Sequence, residues 1–167
     1  MRQAEQAEAE LIRMMQTYGG ALTGMCTMLL SDRHLAQDIV QETFLKAWKH
    51  MDSLRGGQAS EKAWLSRIAV NLCRDYQRTR WFRLVDRNDE MLSMLPAPVT
   101  PELSAVFSAV QALPLRFREV ILLHYYQGME ADEMARVLRL SPSVVYRRLR
   151  QAREKLKPLL KGEDEYE

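Results

Sequence analysis

Glycine and proline punctuate this chain at only a few points, and between those points apolar residues return every three to four positions. That period belongs to helices with one buried stripe, and the strict alternation of strands is almost absent. The expected fold class is therefore all-α. The clearest stripe lies at residues 33–51, where Ala36, Ile39, Val40, Thr43, Phe44, Ala47, Trp48 and Met51 share one face. Ahead of it, residues 4–18 and 21–30 read as two helices, with Gly19 and Gly20 stopping the first. Ser31 or Asp32 can cap the helix that follows. After it, Arg55-Gly56-Gly57-Gln58 breaks the pattern. A fourth helix over 61–81 buries Leu65, Ile68, Ala69, Leu72 and Tyr76 and leaves Arg67, Asn71, Arg74 and Arg78 on the opposite side. Four helices with short turns make a compact bundle.

Residues 84–101 lose this periodicity, contain Pro96, Pro98 and Pro101, and read as a flexible linker. The 17 residues ahead of Pro101 reach at most about 55–60 Å fully extended. The second domain then opens with an apolar face of Leu103, Val106, Phe107, Val110 and Leu113. Pro114 suits the first turn of the next helix, where its missing N–H costs nothing. Val120, Ile121, Leu122 and Leu123 supply a core, and Gly128 ends the helix. The segment 128–156 then reads as two short helices and a tight turn, with Ser141 as cap and Pro142 at the first position of the second helix. Val145 and Leu149 face inward; Ser143, Val144, Tyr146, Arg147 and Arg150 face outward. This is the pattern of a helix-turn-helix, which lays its second helix in the major groove of DNA. Ser143, Val144, Tyr146 and Arg147 are placed to touch base edges, while the cations bind phosphate. At about 60 residues this domain should be marginal alone.

Net charge is only +2, so the distribution of charge is more telling than its sum. Lys62, Arg67, Arg74, Arg78, Arg80 and Arg83 crowd one stretch, and Arg136 to Lys157 forms a second; the tail GEDEYE is acidic. Two basic stretches in a nearly neutral chain point to two surfaces that face polyanions. Single-stranded nucleic acid is gripped by cations on its backbone and aromatics under its bases. Tyr76, Trp81 and Phe82 are candidates for the stacking role, although spacing alone favours Trp64 and Tyr76 as core over platform. The face Asp38, Gln41, Glu42, with Leu45 beside it, fits either a solvated surface or a protein-binding patch.

Enzyme chemistry finds little support. His34, His50 and His124 are far apart, no Cys/His spacing fits zinc, and no glycine-rich phosphate loop occurs. No catalytic residue, metal or cofactor is expected. Cys26 and Cys73 sit in helical patterns and suit a reducing cytoplasm. No apolar run approaches the roughly 18 residues of a membrane span, and the N-terminus is too charged for a signal peptide.

Three strings carry a resemblance: HLAQDIVQETFLKAWKHM, AWLSRIAVNLCRDYQRTR and ALPLRFREVILLHYYQGM, the last running into the helix-turn-helix. In this order, across such a linker, they resemble the bacterial extracytoplasmic function sigma factors, the ECF or group IV branch of the main sigma family. The likeness covers nearly the whole chain. It implies a region-2-like domain at 1–83, a linker at 84–101, a region-4-like domain at 102–161 and an acidic tail at 162–167. It implies that Asp38, Gln41, Glu42 and Leu45 bind core RNA polymerase. Arg67, Asn71, Arg74, Asp75, Arg78, Arg80 and Trp81 would serve the minus-ten element, with the loop 56–60 placed to capture an unstacked base. Ser143, Val144, Tyr146, Arg147, Arg148, Arg150 and Arg153 would read the minus-thirty-five element. The implied partners are core polymerase, promoter DNA (duplex and single-stranded) and a membrane-linked anti-sigma factor, the chain itself being a cytoplasmic monomer. A stand-alone regulator with the same motif would instead form dimers on palindromic sites. The chain departs from the family in having Glu130 where Ser or Thr usually caps, and Arg139 where the turn usually has Gly.

Overall fold

The computed structural model of the protein describes residues 2–56, 60–81 and 101–164. Apart from Pro101, the expected linker lies outside them, as do residues 57–59 of the loop. The described residues form helices and no strand: α1 (Arg2–Leu30), α2 (Arg33–Lys49), α3 (Met51–Gly56), α4 (Glu61–Trp81), α5 (Pro101–Gln111), α6 (Leu115–Ile121), a π-helical turn (Leu122–Tyr126), α7 (Ala131–Leu138) and α8 (Pro142–Asp164).

The first departure from the sequence expectation is α1. It runs unbroken through Gly19 and Gly20, where a stop was expected. Each interior glycine costs about 1 kcal/mol relative to alanine. Met14 on one side and Leu22, Met25, Cys26, Leu29 and Leu30 on the other are all buried in the same core. That continuous stripe outweighs the local preference. Asp32 then starts α2 as expected, its side chain accepting from the Leu35 amide at 3.0 Å. Ser31 takes the left-handed turn before it, with φ 57°. The α2 stripe is buried through Ala36, Ile39, Val40, Thr43, Phe44 and Ala47. Trp48 was expected within it but stands 40% exposed, at the edge of the stripe nearest Leu45.

In the second domain, Val120, Leu123, Met129, Met134, Val137 and Val145 are fully buried. Val106, expected on the apolar face of α5, is exposed, while Val110 and Leu113 are buried. Gly128 takes φ 70° to turn the chain after the π segment. Arg139 closes α7 in the left-handed region at φ 57°, ψ 45°, so the turn demands the conformation that glycine adopts freely. Glu130 sits at the N-cap of α7 without a side-chain bond to the helix.

The two domains do not stand apart. Their buried apolar residues form one continuous core, with α4 packed on α7 and α1 on α5 and α6. A bundle and a domain of about 60 residues, each marginal in size, thereby share burial. The polar groups at this seam are matched. Arg118 Nη1 donates to the Leu29 carbonyl at 2.7 Å, and Gln111 donates to that of Met28. These are carbonyls of the last turn of α1, which has no intrahelical partners for them. Lys62 donates to the Gln127 carbonyl, and Ser60 Oγ to Glu133 at 2.8 Å.

Two caps should respond in opposite directions. Asp32→Ala loses a bond to the Leu35 amide and should cost about 1 kcal/mol. Arg139→Gly relieves a left-handed residue and should gain about 1 kcal/mol. Thermal unfolding of the two variants reads this as a fall and a rise in Tm of about 2–4 °C each.

Candidate nucleic-acid and polymerase surfaces

The helix-turn-helix places α8 as the sequence implied. Val145, Leu149 and Ala152 are buried inward, where α8 packs on α6 and α7. The Ser141 hydroxyl lies 3.4 Å from the Val144 amide, a loose cap. Ser143, Tyr146, Arg147, Arg150 and Arg153 are exposed, and Val144 and Arg148 are partly covered. Tyr146 is 63% exposed, a large aromatic ring open to solvent. Arg153 is partly engaged. Its Nε donates to the Tyr125 hydroxyl at 2.7 Å, and its guanidinium lies 5.7 Å from that ring. The N-terminal half of α8 is thus an exposed row of short polar, aromatic and cationic side chains on a rigid helix. Its chemistry fits base edges and phosphates.

The basic face of α4 is a different case. Arg67, Asn71 and Arg74, expected to stand opposite the core, are only partly exposed. The second domain reaches Arg74. Arg74 Nη2 lies 2.6 Å from Glu119 Oε2, and its Nε donates to the same oxygen at 2.8 Å. This fork holds a carboxylate that is itself 4% exposed. Burial pushes the Glu119 carboxyl up from the ordinary range, while the Arg74 hydrogen bond and the charges of Arg74, Arg148 and Arg118 pull it back. Beside it, burial lowers the Arg118 guanidinium from its usual range. Asp75 and Arg78 are exposed and paired with each other. Trp64 and Tyr76 pack against the core, so of the two readings open for them the structural one holds. The side chains of Arg80 and Trp81, and all of Phe82, lie outside the described residues.

On α2, Asp38, Gln41, Glu42 and Leu45 form one exposed face, with Leu45 61% exposed. Trp48, missed as a surface residue, adds a second large apolar side chain beside it. Apolar bulk flanked by carboxylates is what a protein-binding surface offers. Away from the surfaces, Cys26 and Cys73 are buried, and the hydrogen bond from Cys26, with burial, drives the Cys73 thiol well above its usual range. Among the described residues no three His, Cys, Asp or Glu side chains group to hold a metal ion. No helix there is long and apolar enough to cross a membrane.

Glu119 was not legible as a functional residue. A single acid in the run FREVILL signals nothing by spacing, and only the fold brings it to Arg74.

Comparison with known proteins agrees with the two-part layout. Residues 14–83 match the Sigma-70 region 2 family and residues 103–156 the Sigma-70, region 4 family. The probable RNA polymerase sigma factor RfaY of Xanthomonas campestris is 31% identical over 84% of this chain, which spans 38% of that longer protein. The ECF RNA polymerase sigma factor SigL of Mycobacterium tuberculosis is 31% identical, covering 89% of this chain and 88% of its own. Among solved structures, CnrH in complex with the cytosolic domain of CnrY is similar at a TM-score of 0.70 and 31% identity, over 95% of both chains. CnrH is an RNA polymerase sigma factor of Cupriavidus metallidurans. With both regions matched in order and relatives aligned along nearly its whole length, this chain belongs to the sigma-70 family, as a sigma factor of the ECF type.

Proposed function

We propose that the chain is a group IV promoter-specificity subunit that brings core RNA polymerase to its promoters, helps open them, and has no catalytic activity of its own. The observation that carries this reading is the pair of surfaces on one chain: an exposed recognition helix in α8 and an acidic, apolar face on α2. The first suits DNA, and the second, carrying carboxylates that repel a polyanion, suits a protein. The functional units run 1–83 for polymerase and the minus-ten element and 102–161 for the minus-thirty-five element, joined by 84–101. In this reading Asp38, Gln41, Glu42 and Leu45 dock on polymerase. Ser143, Val144, Tyr146 and Arg147 meet bases, and Arg148, Arg150 and Arg153 meet phosphates. Arg67, Asn71, Arg74, Asp75, Arg78, Arg80 and Trp81 hold the opened strand. Opening is driven by binding: the cost of unpairing a base, a few kcal/mol, is offset by its capture.

The chain works in the cytoplasm as a monomer under the control of an anti-sigma factor tied to the membrane. The support for that control is CnrH, whose solved complex with the cytosolic domain of CnrY this chain resembles along 95% of its length.

Runoff transcription with purified core polymerase tests the whole reading. Transcripts from discrete, asymmetric two-part promoters are expected, and their absence across the source genome would refute it. Asp38→Ala with Glu42→Ala should reduce co-purification with core polymerase while leaving unfolding unchanged, since both side chains are exposed. Arg147→Ala should weaken binding to a mapped minus-thirty-five element by about 1–3 kcal/mol and relax its sequence preference. Competition binding across base-substituted duplexes measures both effects.

A further inference from the structure

The cation placed best on the outer face of α4 is not available to a ligand. Arg74 is held in a two-point grip by Glu119 of the other domain, at 2.6 and 2.8 Å. An anionic oxygen held by two nitrogens of one guanidinium is the contact a phosphate oxygen would make on the same group. Glu119 is otherwise a poor occupant of its position. It follows Arg118 and precedes the apolar run Val120 to Leu123, it is 3% exposed, and burial works against its charge. The groups that face it are cations: Arg74 from α4, Arg118 from α6 and Arg148 from α8.

We propose that Glu119 is an internal phosphate mimic. It occupies Arg74 and locks the two domains in a closed state that excludes single-stranded DNA from α4.

The remaining seam supports a state built to close and open. Arg118 and Gln111 cap the last carbonyls of α1, and Lys62 reaches the Gln127 carbonyl. All of these partners are equally served by water once the seam opens, and Glu119 then regains solvent beside Arg148. Gly24 marks a close approach. A Cβ there would collide with the Tyr126 hydroxyl and ring, whose atoms are its three nearest neighbours. The lack of a side chain at position 24 lets Tyr126 lie against α1. The mimicry rests on the reading of Arg74 as a strand-binding cation; the lock does not.

Two variants of the full chain test it by different routes. Glu119→Gln removes the charge and keeps the shape. Gly24→Gln wedges Tyr126 away while improving the helix propensity of α1. Dyes on cysteines introduced at Lys49 in α2 and Gln151 in α8, both exposed, report the inter-domain distance by energy transfer. A fluorescein-labelled random-sequence 20-nucleotide single strand reports affinity. The unmodified chain should give one short distance and weak binding. Both variants should move to longer distances and bind the strand about tenfold tighter, as expected when a competent state rises from a tenth of the population to most of it. Arg74→Ala added to Glu119→Gln should cancel the gain. Unchanged distances in both variants, with folding confirmed by circular dichroism, overturn the lock even if runoff transcription is normal. Longer distances with unchanged affinity overturn the mimicry, and with it the strand-binding role of Arg74, while the sigma reading stands on transcription.

Discussion

Two adjacent side chains on α6 join the halves of this molecule. Arg118 reaches the free carbonyls at the end of α1, and Glu119 reaches Arg74 on α4. Their charges suit their targets. A cation belongs at the negative end of a helix, and a carboxylate belongs in the fork of a guanidinium. The apolar seam around them depends on this match, because burying either charge without its partner would cost more than the surrounding contacts return. The shared core is thus conditional. It forms where two polar exchanges with water come out nearly even, and it needs both.

Such a seam differs from the interior of either domain. Within α7 and α8, closure is secured by Met134, Val137, Val145 and Leu149, which have no reason to meet water. Between domains, apolar packing is joined, among the described residues, by hydrogen bonds to backbone carbonyls and by the Arg74–Glu119 ion pair. Interfaces of that composition resemble those of transient complexes more than those of obligate ones. The outer face of α8 proposed to meet DNA is exposed here, whereas Arg67, Asn71 and Arg74 on α4 are partly covered.

Much of this was legible in the residues themselves. The α2 stripe, the Asp32 cap and the start of α4 at Glu61 follow from local chemistry that acts within a few residues; the turn at Arg139 was marked only by the family resemblance. The helix-turn-helix was legible because inward and outward positions alternate at helical spacing and the charges fall on one side. What could not be read was decided at a distance. Gly19 and Gly20 look like a stop until the stripe on either side of them is seen to enter one core. Trp48 looks buried by its spacing, but it stands 40% exposed at the edge of the stripe. Arg74 looks free, because no pattern in α4 announces that an acid from α6, 45 positions later, will sit on it. Local preference marked the elements; tertiary packing decided which faces remain open.

The π-helical turn at Leu122–Tyr126 adds a geometric consequence. Widening one turn of a helix shifts the angular phase of everything around it. Here the wider turn points two successive aromatic rings in different directions: Tyr125 towards Arg153 on the recognition helix, Tyr126 across the seam to Gly24 on α1. A regular helix would set both rings by the ordinary step of about 100° per residue and could not be tuned separately for each neighbour. The five-residue turn therefore carries, on two consecutive residues, one contact to α8 and one across the seam to α1.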